Sequence, residues 1–311
     1  MEILRTENII KKYGDHYALN GVSMNINEGS VYGLIGPNGA GKTTLIRILT
    51  QILLPDSGSV FYCGETLNES HAQYFGYMPE ERGLYKKMKV GEQSMYLARL
   101  RGLSQSEAKK ELQMWFEKFE IMPWWNKKVE ELSKGMQQKV QFINTVVHKP
   151  RVLVLDEPFS GFDPINVNLI KNEISNMRKD DVTIIYSTHN MASVEELCNS
   201  ISLIYNGKEV LSGEVSSIRN RYKKNIFEII CSGKTSVSLP TGFDVISNTF
   251  DSSLNQSTLQ IALSKEGTAN EVLSFFIHNH QIIGCKEILP TISEIFVEQV
   301  KNSNSLLPLF K

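Results

Sequence analysis

The run Gly36-Pro37-Asn38-Gly39-Ala40-Gly41-Lys42-Thr43-Thr44 constrains this chain more than any other stretch. It fits the spacing G-x-x-x-x-G-K-[ST], with a second threonine behind it. The apolar run Val31-Tyr32-Gly33-Leu34-Ile35 leads in as a buried strand, and Leu45, Ile46, Ile48 and Leu49 follow at helical spacing. Strand, glycine loop and helix in that order form a cradle for phosphate oxygens. Backbone N–H groups from Gly39 to Thr43 can point inward, and the helix adds its positive end. Lys42 is placed to meet β- and γ-phosphates, and the Thr43 hydroxyl to meet Mg²⁺. A glycine turn with a chance lysine and threonine does not account for the flanking strand and helix.

The 311 residues are enough for one large domain or two smaller ones. A formal net charge of −1 argues against general affinity for nucleic acid, and none is expected as a partner. No apolar run approaches the roughly 20 residues needed to cross a bilayer. The start, Met1-Glu2-Ile3-Leu4-Arg5-Thr6, does not read as a secretion signal. Cys63, Cys198, Cys231 and Cys285 lack metal-ligand spacing and are expected to be reduced thiols in a cytosolic protein.

In chain order, Glu2 to Ile10 and Ala18 to Ile26 read as strands, joined by a turn over Lys11–Asp15 that carries Tyr13. A turn aromatic ahead of a phosphate loop can stack on a nucleobase. Phe75-Gly76-Tyr77-Met78 reads as a short strand that ends at Pro79 and runs into the charged pair Glu80-Glu81. From about 88 to 149 the pattern turns helical, with helices expected over Glu92–Leu100, Ser104–Phe119 and Lys139–His148. Ser104 and Glu107 make a capping-box signal. Leu132-Ser133-Lys134-Gly135-Met136 reads as a capped helix start, and so as a second place where an anion can sit.

Arg151-Val152-Leu153-Val154-Leu155 is a nearly continuous apolar run, as in a parallel strand covered on both faces, and it ends in Asp156-Glu157. Adjacent carboxylates there are costly unless used. Asp156 suits a metal and Glu157 suits polarising a water. The next buried strand, Val182–Ser187, ends in Thr188-His189, which puts His189 on the same rim. Helices are expected over Asn166–Arg178 and Ser193–Ser200, then a hairpin turning at Asn206-Gly207. Ser216–Lys224 reads as a basic linker in the form of a solvated connecting helix, followed by strands at Ile226–Cys231, Thr258–Leu263 and Gln281–Leu289 and helices at Ala269–His280 and Ser293–Val300.

Taken together, residues 2 to 215 resemble an ABC transporter ATPase subunit. Tyr13 matches the adenine-stacking aromatic, Gly36–Thr44 the Walker A loop, and Ser133 with Gly135 the signature sequence. Val152–Asp156 with Glu157 matches Walker B and its catalytic glutamate, Ser160–Asp163 the D-loop, and His189 the switch histidine. The resemblance implies an α/β P-loop ATPase core, a mixed or parallel sheet with helices on both faces and an α-helical insertion. A small C-terminal α+β domain follows, giving expected domains 1–219 and 220–311. It implies ATP and Mg²⁺ as cofactors. Tyr13, Gly36, Pro37, Asn38, Gly39, Ala40, Gly41, Lys42, Thr43, Thr44, Ser133 and Gly135 would contact nucleotide. Thr43, Glu80 and Asp156 would contact metal, with Glu157 and His189 catalytic.

The family further implies a head-to-tail dimer in which Ser133–Gly135 of one subunit closes over ATP on the other, a homodimer being favoured over a heterodimer. Separate integral-membrane permease subunits are implied partners, and placement is expected in the cytoplasm, peripheral on the inner face of the cell membrane. Three positions depart from the family pattern: Glu80 stands where glutamine is usual, Lys134 and Met136 alter the Leu-Ser-Gly-Gly-Gln form, and Phe162 replaces leucine. Pro79–Tyr85 and the C-terminal unit are similar to a bacterial exporter branch that includes sodium-, drug- and peptide-export ATPases. The competing reading, a soluble cassette ATPase acting on ribosomes or DNA, fits less well. Those members carry two cassettes or long coiled coils, and this chain has one cassette and no heptad run.

Overall fold

The computed structural model describes residues 1–81, 83–160, 164–235, 242–263 and 268–305. The chain divides into two compact units, Met1–Val215 and Ser216–Lys311. The first holds two sheets. One is antiparallel, in the order β2 (His16–Asn27), β1 (Glu2–Tyr13), β4 (Ser57–Tyr62), β5 (Glu65–Thr66).

The other runs β10 (Lys208–Glu214), β9 (Ser200–Tyr205), β3 (Val31–Ile35), β8 (Thr183–Thr188), β7 (Val152–Asp156), β6 (Phe75–Met78). Its strands are parallel except β10, which pairs antiparallel with β9 at the edge. Every residue of β3, β7 and β8 is buried, which is why these runs are apolar without alternation. This is the mixed sheet, with one antiparallel edge strand, that the resemblance implied.

One apolar core joins the sheets. Ile9, Leu19, Val22 and Val60 from the first meet Leu34, Val154, Ile185 and Ile204 from the second. Helix α1 (Lys42–Leu49) adds Leu45, Ile46, Ile48 and Leu49 to the same core. Because β3, β6, β7 and β8 are parallel, their C-terminal ends share one rim, where the phosphate loop, Glu80, Asp156–Glu157 and His189 all lie.

The insertion contains α2 (Val90–Leu100), α3 (Gln105–Lys118) and α4 (Lys134–Val146). The Ser104 capping box forms as expected: Glu107 N–H donates to Ser104 Oγ at 3.2 Å and Ser104 N–H to Glu107 Oε2 at 2.9 Å. Phe119 stacks on Phe142 and Trp115 tilts against Phe119, so this block has its own aromatic centre. Helices α5 (Pro164–Lys179) and α6 (Met191–Leu197) complete the first unit, and α7 (Val215–Arg221) leads from its last residue into the second. That unit is an antiparallel sheet, β12 (Phe243–Asp251), β13 (Gln256–Leu263), β11 (Ile226–Ser232) and β14 (Ile282–Ile288), with α8 (Ala269–Asn279) and α9 (Ile292–Ser305). Phe227, Ile229, Cys231, Leu259 and Ile261 pack against Val272 and Phe276 of α8.

Several expectations need correction. The turn placed at Lys11–Asp15 shrinks to Gly14-Asp15, because pairing continues through Lys12 with Tyr17 and Tyr13 with His16. Asp56 accepts from both Lys11 Nζ and Lys12 N–H at 2.7 Å, which holds that end of the strand. Helix α4 starts at Lys134 behind the Ser133 cap read from the sequence, five residues before the apolar spacing that begins at Lys139. The helix expected over Ser193–Ser200 sits two residues earlier, started by Asn190 Oδ1 accepting from Ala192 and Ser193 N–H groups, and Ser200 opens β9. The connecting helix read at Ser216–Lys224 forms as α7 and ends at Arg221, whereas β12 was not anticipated. Gly161, Phe162 and Asp163 of the D-loop match, and Arg82, lie outside the described residues. Among the described residues no helix is long and apolar enough to cross a membrane, and all cysteines are free.

His148 follows α4 and meets the Phe75 carbonyl through Nε2 at 3.1 Å. Burial pushes its pKa down to about 4, against that hydrogen bond, and Arg101 lowers it further. The unfolded chain therefore takes up the proton first as pH falls. Stability should drop by up to about 3 kcal/mol between pH 6.5 and 4 from this group alone. Urea unfolding of the wild type and of His148→Gln across that range should show the steeper loss in the wild type.

Candidate active site

The phosphate loop leaves β3 at Gly36 and enters α1 at Lys42. Its glycines are required by backbone crowding. A Cβ on Gly36 would lie 2.1 Å from the Ile204 carbonyl oxygen, and one on Gly41 would lie 2.3 Å from that of Ala18. Gly39 has φ +77° and Gly41 φ +110°, a region that L side chains rarely enter. Gly41 caps α1 without a side chain, so no side-chain oxygen competes with a ligand for the first N–H groups of the helix.

Lys42 is 7% exposed, and its Nζ donates to the carbonyls of Gly36 (2.7 Å) and Pro37 (3.1 Å) of its own loop. Burial lowers its pKa below the ordinary lysine value, while Glu157, Asp156 and Glu80 oppose that shift. Thr43 Oγ1 donates to Asp156 Oδ2 at 3.1 Å, joining α1 to the end of β7. Burial raises the Asp156 carboxyl pKa above its usual range, against the Thr43 hydrogen bond and the Lys42 charge.

Glu157 takes φ +47°, and its N–H donates to the Ser187 carbonyl at 2.9 Å. Its carboxylate is held on both oxygens. Oε1 accepts from His189 N–H at 2.8 Å and lies 2.6 Å from His189 Nδ1; Oε2 accepts from Thr188 Oγ1 at 3.1 Å. The Glu157 side chain is 12% exposed and the His189 ring 63%, so one end of the pair faces solvent.

These groups surround a cavity of about 380 Å³ lined by Tyr13, His16, Ala18, Asn38–Thr44, Glu80, Asp156 and Glu157. Tyr13, at the end of β1 and 52% exposed, forms one wall. The expected residues Asn38, Gly39, Ala40, Gly41, Lys42, Thr43, Thr44, Glu80, Asp156 and Glu157 thus converge. Gly36 and Pro37 form the loop's stem. Ser133 and Gly135 do not line this cavity; they sit at the start of α4, where Ser133 Oγ accepts from Met136 N–H at 3.3 Å. His16 and Ala18 were missed. Pairing β1 with β2 through a two-residue turn would have placed His16 opposite Tyr13.

A divalent cation fits this donor set. Among the described residues, no group of three His, Cys, Asp or Glu side chains is arranged to hold a metal alone. Thr43, Asp156 and the neighbouring Glu80 offer hard oxygens beside a phosphate cradle, and Mg²⁺ is typically held by one or two carboxylates, water and substrate phosphates.

Residues 19–160 match the family model described as ABC transporter. Residues 213–300 match a second model, the ATP-binding protein DrrA1-3-like C-terminal domain. The uncharacterized ABC transporter ATP-binding protein YhaQ of Bacillus subtilis (strain 168) is 47% identical over 225 residues, which is 72% of this chain and 76% of the relative. The chain belongs to the ABC transporter ATP-binding proteins. The family hydrolyses ATP, and the chain is an ATPase subunit. The lantibiotic transport ATP-binding protein SrtF of Streptococcus pyogenes is 33% identical over 70% of this chain and 93% of its own. A solved ATP-binding subunit of an ABC transporter superposes with a TM-score of 0.66 at 28% identity, covering 71% of this chain and 93% of that one.

Gly41→Ala should cost about 2 kcal/mol or more of stability, from the strained φ and the clash with Ala18. It should also weaken nucleotide binding at least tenfold, since the loop must retreat from β2. Calorimetric titration with ADP, beside a thermal melt, checks both.

Proposed function

We propose that this chain is the ATP-hydrolysing subunit of a membrane exporter, working as a head-to-tail dimer on separate transmembrane subunits. The observation that carries the hydrolytic part is Glu157: a carboxylate next to Asp156, across the cavity from Lys42, and fixed by His189 and Thr188. A water at the γ-phosphate would donate to this carboxylate, as a general base requires. His189 Nδ1 and the His189 and Thr188 donors keep Glu157 oriented while it accepts.

Lys42 would exchange its carbonyl partners Gly36 and Pro37 for phosphate oxygens, and the loop N–H groups would hold the rest. Thr43 and Asp156, with Glu80 nearby, would hold Mg²⁺, which supplies neutralisation of phosphate charge. Tyr13 would stack on the adenine. Ser133 and Gly135 lie away from this cavity, which is what a composite site needs: they would close over nucleotide held by a second subunit. Residues 1–219 would form the nucleotide-binding domain and 220–311 an accessory domain.

The partner surface would lie beside the insertion. A groove of about 600 Å³ runs between Ile52, Tyr77, Gly83, Leu84, Leu97 and Leu100. Ile52 and Leu100 are 60% and 64% exposed there, and a permease segment with an apolar face would cover them. Export, rather than import, is supported by the C-terminal match and by relatives such as SrtF, whose name gives it a lantibiotic transport role.

Glu157→Gln keeps the shape and removes the base. It should bind ATP like the wild type, lose turnover about 10²-fold or more, and accumulate an ATP-bound dimer on gel filtration. Wild-type phosphate release by this variant would overturn the assignment. His189→Ala should retain nucleotide affinity and lose turnover about tenfold or more, because Glu157 then loses its fixed orientation.

A further inference from the structure

Helix α4 carries two buried glutamines to which the reaction described above gives no task. Gln138 is 2% exposed and Gln141 5%. They are three residues apart and so share one face of the helix. Gln138 Nε2 donates to the Pro158 carbonyl at 3.1 Å, directly after Glu157. Gln141 Nε2 donates to the carbonyls of Pro79 (2.8 Å) and Glu81 (3.4 Å), on either side of Glu80. The main chain beside each of two cavity carboxylates is therefore pinned to the same helix.

The side-chain oxygens Gln138 Oε1 and Gln141 Oε1 are buried and find no hydrogen-bond partner among the described residues. An unmet buried acceptor is costly, and an apolar side chain would fill the same volume without it. Packing alone therefore does not explain a glutamine at both positions, whereas the amide donors do. The helix has little room to shift without moving these strands, since a Cβ on Gly76 of β6 would lie 2.6 Å from the Thr145 carbonyl of α4. Met78 of β6 also pairs in register with Leu155 of β7, so the two pinned segments are neighbours at the rim.

We propose that Gln138 and Gln141 are positioning residues that tie the placement of Glu157 and Glu80 to the helix beginning at Ser133. This rests on the reading of Ser133–Gly135 as half of a composite site. At about 1.5 Å per residue, Gln138 lies about 8 Å and Gln141 about 12 Å along the helix from Ser133. A tilt or advance of α4, as its first turn engages the second subunit's nucleotide, carries both carboxylates with it. Occupancy of one site thereby sets the geometry of the other, and the coupling must act equally in the reverse direction. A subunit alone binds nucleotide, but its base and its metal-side carboxylate take up working positions only when α4 is engaged.

The test uses the full chain with Gln138→Met, Gln141→Met and Gln141→His. Methionine keeps length and volume and removes the donors; histidine can return one N–H at the place of the amide. Each methionine variant should keep the affinity of the isolated subunit for Mg-ADP within about twofold and its thermal midpoint within a few degrees. Each should lose turnover about tenfold or more, with the loss in kcat rather than KM. Gln141→His should recover most of that loss. Wild-type turnover in the methionine variants overturns the proposal. So does a fall in Mg-ADP affinity matching the fall in kcat, or a histidine variant no better than methionine, since either marks a purely structural role. Failure of Glu157→Gln to trap an ATP dimer, with both glutamines intact, would instead remove the composite-site reading itself.

Discussion

The structure depends on how closely the main chain of the phosphate loop passes two other main chains. Gly36 runs against Ile204 of β9 and Gly41 against Ala18 of β2, each at a distance that no Cβ tolerates. Ile204 and Ala18 belong to different sheets, so the loop is wedged where the two sheets meet. Gly207, after β9, repeats the approach, with its N–H on the Ala40 carbonyl at 3.0 Å and its Cα beside Ala18. A fourth tether comes from Thr43 to Asp156. The curved array of N–H groups is thus held in place before any ligand arrives, and binding need not meet the entropy of ordering it.

Charge follows from that placement. Parallel strands end together, so Glu80, Asp156 and Glu157 gather around one buried lysine. Taken alone, this arrangement favours a cation over a polyphosphate. A metal ion entering with the nucleotide would resolve the conflict, and Glu80, where an amide is usual in the family, would make that requirement stricter. Glu157 escapes the crowd by turning toward Thr188 and His189, which its positive φ allows. The neighbouring carboxylates are thereby separated in environment: Asp156 is buried with a raised pKa, and Glu157 is hydrogen-bonded toward the open rim.

Much of the site was legible because its signals are local. Gly36–Thr44 carries strand, loop and helix within a few residues, and Asp156-Glu157 follows four apolar residues that read as a covered strand. His189 was found the same way, as a polar residue at a strand's end. The second unit was legible in outline from alternation, as in β13, where buried and partly exposed positions alternate along Gln256–Leu263. Strand β12 was not, because most of its residues are exposed and no periodic burial marks it. His16 was hidden by a turn drawn too long. The start of α4 was legible from the cap at Ser133, although Lys134 and Gly135 are poor helix signals and the apolar spacing begins only at Lys139.

The sequence by itself determined the candidate chemistry: a phosphate loop, an aspartate suited to a metal, a glutamate suited to a base and a histidine, all written as short patterns at strand ends. Local patterns suffice there because backbone geometry within one turn makes the cradle. Tertiary structure alone decided which distant groups share one space. It placed Tyr13 and His16 beside the loop, bonded Thr43 to a residue more than a hundred positions away, and aimed Gln138 and Gln141 at the main chain beside Glu157 and Glu80. The physical reason is that a buried amide looks the same in sequence wherever it points. Only the packed strands and helix settle which carbonyls it meets.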